Sequence, residues 1–226
     1  MEIVDRFVML KKVPEVIERL RKVTGGMVEP MSISIVQNYG RDPFLVLVSC
    51  LLSSRTKDSV TFPASLRLFA LATTPQKMLN LSICELEKAI YPVGFYHQKA
   101  VHIKRLCSLL ISDYSGIVPA DFYALTLLPG VGPKTANLVL GVGFGIPALC
   151  VDVHVHRICN RLGLVVTKTP QETEKALKVI IPSEYWIELN RLLVMWGQNV
   201  CVPVSPYCSR CVLQDVCPRT GVIKNR

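Results

Sequence analysis

Residues 43–53 read PFLVLVSCLLS, apolar at nearly every position. A run of that kind predicts a central helix buried on every side, with a buried strand as the alternative that periodicity leaves open. Elsewhere apolar and polar positions alternate at helical spacing, as in Val155, Ile158, Cys159 and Leu162. Helix-start signals recur: Pro14 opens 14–22, Thr74-Pro75 opens a short helix, and Ser82 to Glu85 and Thr169 to Glu172 have the form of capping boxes. Further helices are predicted over 57–72, 98–113, 120–127, 134–143, 153–162, 171–180 and 184–198. Strand signals are sparse, so the expected fold class is all-α. No internal repeat or low-complexity linker divides the chain.

Composition sharpens this picture. The 226 residues are 50% apolar, enough for a folded core, and no window reaches the eighteen uninterrupted apolar residues of a membrane span. The acidic start, Met1 to Asp5, is unlike the basic start of a secretory signal. The expectation is a cytoplasmic monomer with no membrane partner. The formal net charge is +9, with Lys and Arg spread over the whole chain, which suits an extended polyanion such as nucleic acid. Nine cysteines without an export signal argue against a disulfide framework and for ligation or burial.

The most informative segment is LPGVGPKTA, Leu128 to Ala136, a turn with two glycines between two predicted helices. Pro129, Gly130, Val131 and Gly132 form the turn, and Pro133 suits a first helical position. Amides of the hairpin and the new helix would then point outward together, where phosphate oxygens can accept them without reading sequence. A plain helix-to-helix connector is the alternative. Lys134 falls in the first turn, where a cation opposes the helix dipole, so a purely structural role is slightly unfavourable. The same positive end favours the neutral, nucleophilic amine, against the alternative of a solvated surface lysine. Asp152 precedes the helical pattern beginning at Val153. It can cap that helix and can also stabilise developing positive charge, and the two roles are compatible.

Cys201, Cys208, Cys211 and Cys217 form Cys-x6-Cys-x2-Cys-x5-Cys within seventeen residues, close enough for one loop to converge four thiolates on one centre. Spacing alone leaves Zn2+ and an iron–sulfur cluster equally open. The other five, Cys50, Cys84, Cys107, Cys150 and Cys159, stand singly in apolar stretches and are expected to pack as small hydrophobes. His154 and His156 are expected to be structural.

The hairpin, the Val151-Asp152-Val153-His154 segment, LLSSRTKD at 51–58, VGFYHQKA at 93–100 and the terminal cysteines together resemble the endonuclease III branch of the helix-hairpin-helix superfamily of DNA glycosylases. The resemblance runs over nearly the whole chain. It implies two helical lobes: a six-helix lobe over 34–144 containing the hairpin, and a discontinuous lobe of 1–33 plus 145–226 carrying a [4Fe-4S] cluster at 201–217. It implies double-stranded DNA with a damaged base or abasic site as partner, with Lys134 as nucleophile and Asp152 as its carboxylate. The implied activity is excision of damaged, oxidised pyrimidines followed by strand cleavage 3′ to the abasic site.

Flipping a base from the duplex leaves a gap in the stack that side chains fill. The resemblance puts Arg55 and Phe95 at those positions. Arg55 stands where the family pattern carries glutamine, and Phe95 where it carries leucine. The loop 202–207 has no basic residue where relatives have several, leaving Arg210 and Arg219 as substitute phosphate contacts. Two other functions fit parts of the pattern. A monofunctional glycosylase would lack the hairpin lysine, and a non-enzymatic helix-hairpin-helix module would bind DNA without cutting it.

Overall fold

The computed structural model describes residues 3–226, with side chains from residue 13 onward; Met1 and Glu2 of the acidic start lie outside the described residues. Every regular element among them is helical. The chain divides into two compact units: Pro30–Ile146, and Met1–Glu29 together with Pro147–Arg226.

The continuous unit holds eight α-helices among the described residues: α2 (Met31–Tyr39), α3 (Pro43–Ser53), α4 (Asp58–Leu71), α5 (Pro75–Asn80), α6 (Ile83–Ile90), α7 (Tyr96–Tyr114), α8 (Phe122–Leu127) and α9 (Pro133–Leu138). Six were expected. α2 is not predicted, because Pro30 caps it without a side-chain hydrogen bond and leaves no start signal, whereas α5, α8 and α9 lie where Thr74-Pro75, 120–127 and 134–143 predict helices. α3 begins where Asp42 accepts the amides of Phe44 and Leu45, and Phe44 to Leu52 are all buried. The strand alternative for 43–53 is thereby removed. Around α3 pack α2, α4, α7, α9 and a π-helical turn, Val139–Phe144, that continues α9. The π turn replaces the second half of the α-helix expected over 134–143, whose first half is α9. Gly143 lets it approach α3, because a Cβ there would lie 3.1 Å from the Cα of Pro43.

The discontinuous unit joins α1 (Ile3–Thr24) to α10 (Val153–Arg161), α11 (Pro170–Ile180) and α12 (Trp186–Asn199). Pro14 does not open α1 but lies inside it. The lost backbone bond is tolerated because Val13, Val16, Ile17 and Leu20 lock this stretch into the unit's core with Val155, Ile158, Leu177, Leu192 and Leu193. Ser82 forms a full capping box with Glu85. Thr169 caps α11 through the Glu172 amide, but the Glu172 carboxylate accepts from Lys168 rather than returning to Thr169. No helix among the described residues is long and apolar enough to cross a membrane.

Candidate active site

The hairpin is fixed from beneath by apolar residues at its corners. Leu125, Leu128 and Val131 are buried, and Leu128 and Val131 donate backbone bonds to Leu125 and Leu128 in turn. Val131 therefore anchors the turn with its side chain and spends its amide inside it. The amides of Gly130 and Gly132 make no backbone hydrogen bond among the described residues. Gly130 adopts φ 80°, the left-handed region that favours glycine, while Gly132 caps α9 at φ −95°, which any residue can take. Pro133 occupies the first helical position and Lys134 follows it on the surface. Burial pushes the Cys50 thiol of α3 up to about 12, and the Lys134 ammonium is the foremost influence opposing that rise.

Arg55 and Phe95 lie on two turns of the same unit, after α3 and before α7. Both have left-handed backbones, φ 57° and 58°, a conformation uncommon outside glycine. The Arg55 guanidinium stands 4.5 Å from the centroid of the Phe95 ring, a cation–π distance. Phe95 is 50% exposed and so is no core residue. Together with His102 and Gly130, these turns line a cleft with about 580 Å3 of empty space, which joins them to the hairpin.

Lys99 at the floor of this cleft was not singled out from the sequence. It is 7% exposed, and its Nζ donates to the carbonyls of Leu52 and Ser54 at 2.7 Å and to Thr56 Oγ1 at 3.3 Å. Desolvation lowers its ammonium to about 8. The signal was present: Lys99, Ile103, Leu106 and Leu110 share one buried stripe of α7, and a lysine on an apolar stripe needs partners.

In the other unit, Asp152 is the N-cap of α10. Its Oδ1 accepts the amides of His154 and Val155, each at 2.9 Å, and Oδ2 takes no part in the cap. The same helix reaches the cysteine loop. Arg157 donates to the carbonyls of Gly197 and Cys201, and Arg161 to those of Val202 and Pro203 and to the Cys201 sulfur at 3.3 Å. His156 bonds Thr173 at 2.6 Å.

Cys201, Cys208, Cys211 and Cys217 are half-buried, in no disulfide, and line about 340 Å3 of empty space with Arg161, Val200 and Tyr207. Among the described residues no three His, Cys, Asp or Glu side chains gather closely enough to hold a single metal ion. Four thiols around a roomier space suit a larger inorganic group better than one ion. Burial raises the Cys211 and Cys217 thiols. The buried Trp196 indole closes no hydrogen bond, yet acts on Cys211 in the direction that favours its thiolate. Arg210 stacks on Tyr207 at 4.5 Å, and Arg219 is exposed. Of the five single cysteines, four are buried and Cys84 is exposed, because it lies on the side of α6 opposite Leu86 and Ile90.

Comparison with known proteins bears on both units. A profile described as the HhH-GPD superfamily base excision DNA repair protein matches residues 48–183. Endonuclease III of Thermotoga maritima is 45% identical over 210 residues, 88% of this chain and 99% of that protein. A non-covalent endonuclease III–DNA complex superposes with a TM-score of 0.81 at 34% identity, over 93% of this chain and 95% of that one. A trapped endonuclease III–DNA covalent intermediate does so with the same score and identity, over 93% and 96%. This chain belongs to the endonuclease III family of the HhH-GPD superfamily of base excision DNA repair proteins.

Proposed function

We propose that the protein is a bifunctional DNA glycosylase and abasic-site lyase that removes damaged pyrimidines from duplex DNA. The carrying observation is the hairpin: two glycine amides turned away from the backbone ladder, with a surface lysine two residues further on. Phosphate held by the amides would bring the deoxyribose to the amine, so that attack becomes effectively intramolecular. The likeness to a trapped endonuclease III–DNA covalent intermediate supports the same reading, since such an intermediate needs a nucleophile on the protein.

Lys134 is the nucleophile. Its neutral amine attacks C1′, the C1′–N bond to the base breaks, and the base leaves with a proton. Ring opening gives a Schiff base between Nζ and C1′. Loss of a C2′ proton then expels the 3′ phosphate oxygen, cutting the strand by β-elimination, and water releases the enzyme. Asp152 stabilises the oxocarbenium-like charge as the base departs and helps take the proton from the amine. Its Oδ1 is held by two amides, so the side chain is oriented before substrate arrives. Arg55 and Phe95 enter the stack vacated by the flipped nucleotide.

Cys201, Cys208, Cys211 and Cys217 would hold a [4Fe-4S] cluster, which supplies a covalent cross-link across the 201–217 loop. Arg157 and Arg161 pin that loop to the helix that Asp152 caps. The basic charge of the chain and the hairpin fit DNA with a damaged base or abasic site as partner. We propose that it acts as a monomer in the cytoplasm.

The test is borohydride reduction of protein mixed with an abasic-site duplex. Wild-type protein is expected to form a covalent adduct and Lys134→Gln none, with DNA affinity kept within about threefold, because the hairpin amides do not depend on the amine. An adduct that survives Lys134→Gln refutes the nucleophile assignment. Base release with no adduct in the wild type points instead to a monofunctional enzyme, and binding with no strand cleavage points to a binding module.

A further inference from the structure

The turn after α3 and the turn before α7 are tied at one atom. Thr56 Oγ1 accepts the Gly94 amide at 3.1 Å and the Lys99 ammonium at 3.3 Å. Lys99 also collects the carbonyls of Leu52 and Ser54, on the two sides of the bend at the end of α3. Arg55 lies between Ser54 and Thr56, and Phe95 follows Gly94. The approach is close: a Cβ on Gly94 would sit 3.1 Å from Thr56 Oγ1 and 3.4 Å from the Arg55 carbonyl. One buried cation thus satisfies acceptors flanking Arg55, and through Thr56 reaches the residue before Phe95. Both exposed side chains stand on left-handed residues that an isolated turn would not favour.

We infer that Lys99 is a positioning residue for DNA interrogation: its ammonium locks the two turns into a single rigid wedge, so that Arg55 and Phe95 enter the duplex together. Lys99 itself faces the protein interior and touches no reacting atom. Its effect is exerted through Arg55, which meets the base left opposite the lesion. The inference rests on the proposed glycosylase activity and on the wedge role of Arg55.

The experiment compares wild type, Lys99→Met, Arg55→Ala and the double variant on lesion duplexes differing only in the opposite base. Lys99→Met is expected to raise KM about tenfold and to flatten the opposite-base preference, with kcat on an abasic-site duplex changed by less than about threefold. The double variant is expected to match Arg55→Ala, because the two residues act through one wedge. Additive losses, an unaltered preference in Lys99→Met, or a loss confined to kcat would overturn the inference. If Lys99→Met does not fold, Thr56→Val removes the shared acceptor without burying or removing a charge. It is expected to shift preference in the same direction, and a wild-type preference in that variant is equally fatal. Wild-type protein that leaves abasic DNA intact removes the functional reading and this inference with it. Active wild type with indifferent variants removes only the inference.

Discussion

The two hairpin glycines should respond oppositely to alanine. At Gly130 the φ of 80° obliges an alanine to adopt the left-handed region, at a cost of about 1–2 kcal/mol. Its Cβ would also lie 3.1 Å from Leu51 Cδ2 and 3.3 Å from His102 Nδ1. Leu51 is buried and has little room to yield, so the total is expected to be about 2 kcal/mol. For a chain of this length that lowers Tm by roughly 4–8 °C. At Gly132 a Cβ would meet no atom within 4 Å, and φ −95° suits alanine. The reduced entropy of the unfolded chain favours Gly132→Ala by about 0.4–1 kcal/mol, and the poorer N-cap offsets about as much, so stability should move by less than about 0.5 kcal/mol. The new methyl faces open space beside an amide free to grip phosphate, so its cost should appear in binding. Loss of one charge-assisted hydrogen bond of about 1.5 kcal/mol weakens affinity roughly tenfold. Thermal unfolding followed by circular dichroism, with fluorescence anisotropy on an abasic-analogue duplex at fixed salt, separates the two. Equal Tm losses, or unchanged affinity in Gly132→Ala, would refute the assignment of a structural role to one glycine and a phosphate-gripping role to the other.

Asp152 separates capping from chemistry: Asp152→Ala should lose about 1 kcal/mol of stability with both amide bonds, whereas Asp152→Asn keeps the cap yet slows base release about 100-fold. Denaturant midpoints and single-turnover excision rates check the pair. Protein purified anaerobically should be brown with about four irons per chain, and Cys211→Ser should lose iron and the visible absorbance; stoichiometric zinc without iron would contradict the cluster. Lys99 predicts a pH effect with two signs. Desolvation lowers its folded ammonium to about 8 from the ordinary 10.5, so between these pH values the unfolded chain binds more protons and this group's contribution to stability rises with pH. The neutral amine has two N–H donors for three acceptors, so opposite-base preference should weaken over the same range. Arg55, His102, Lys57 and Asp58 flank the two turns, and the comparison is therefore made against Lys99→Met, in which urea midpoints should show no such rise.

Much of this protein was legible in one dimension because its signals are local. The apolar run 43–53, the capping residues Thr74 and Ser82, and the turn LPGVGPKTA act within four residues of themselves, and propensity and capping operate over that range. The cysteine spacing is local in the same sense. What lay beyond it depends on contacts between distant segments. Pro14 reads as a helix start, yet the burial of Val13, Val16, Ile17 and Leu20 against residues over a hundred positions away carries α1 through it. The π turn at Val139–Phe144 packs against α3, where a Cβ at position 143 would crowd the Pro43 backbone at 3.1 Å. Lys99 could be marked in the sequence as a lysine out of place, but its partners, Leu52, Ser54 and Thr56, lie more than forty residues earlier. Sequence determined that a hairpin, a lysine, an aspartate and four cysteines were present. Only the tertiary structure decided that Val131 spends its amide on the turn while Gly130 and Gly132 do not, and that one buried ammonium joins the turns bearing Arg55 and Phe95. The physical reason is that burial and hydrogen-bond satisfaction are settled in space, after the local rules have chosen the helices.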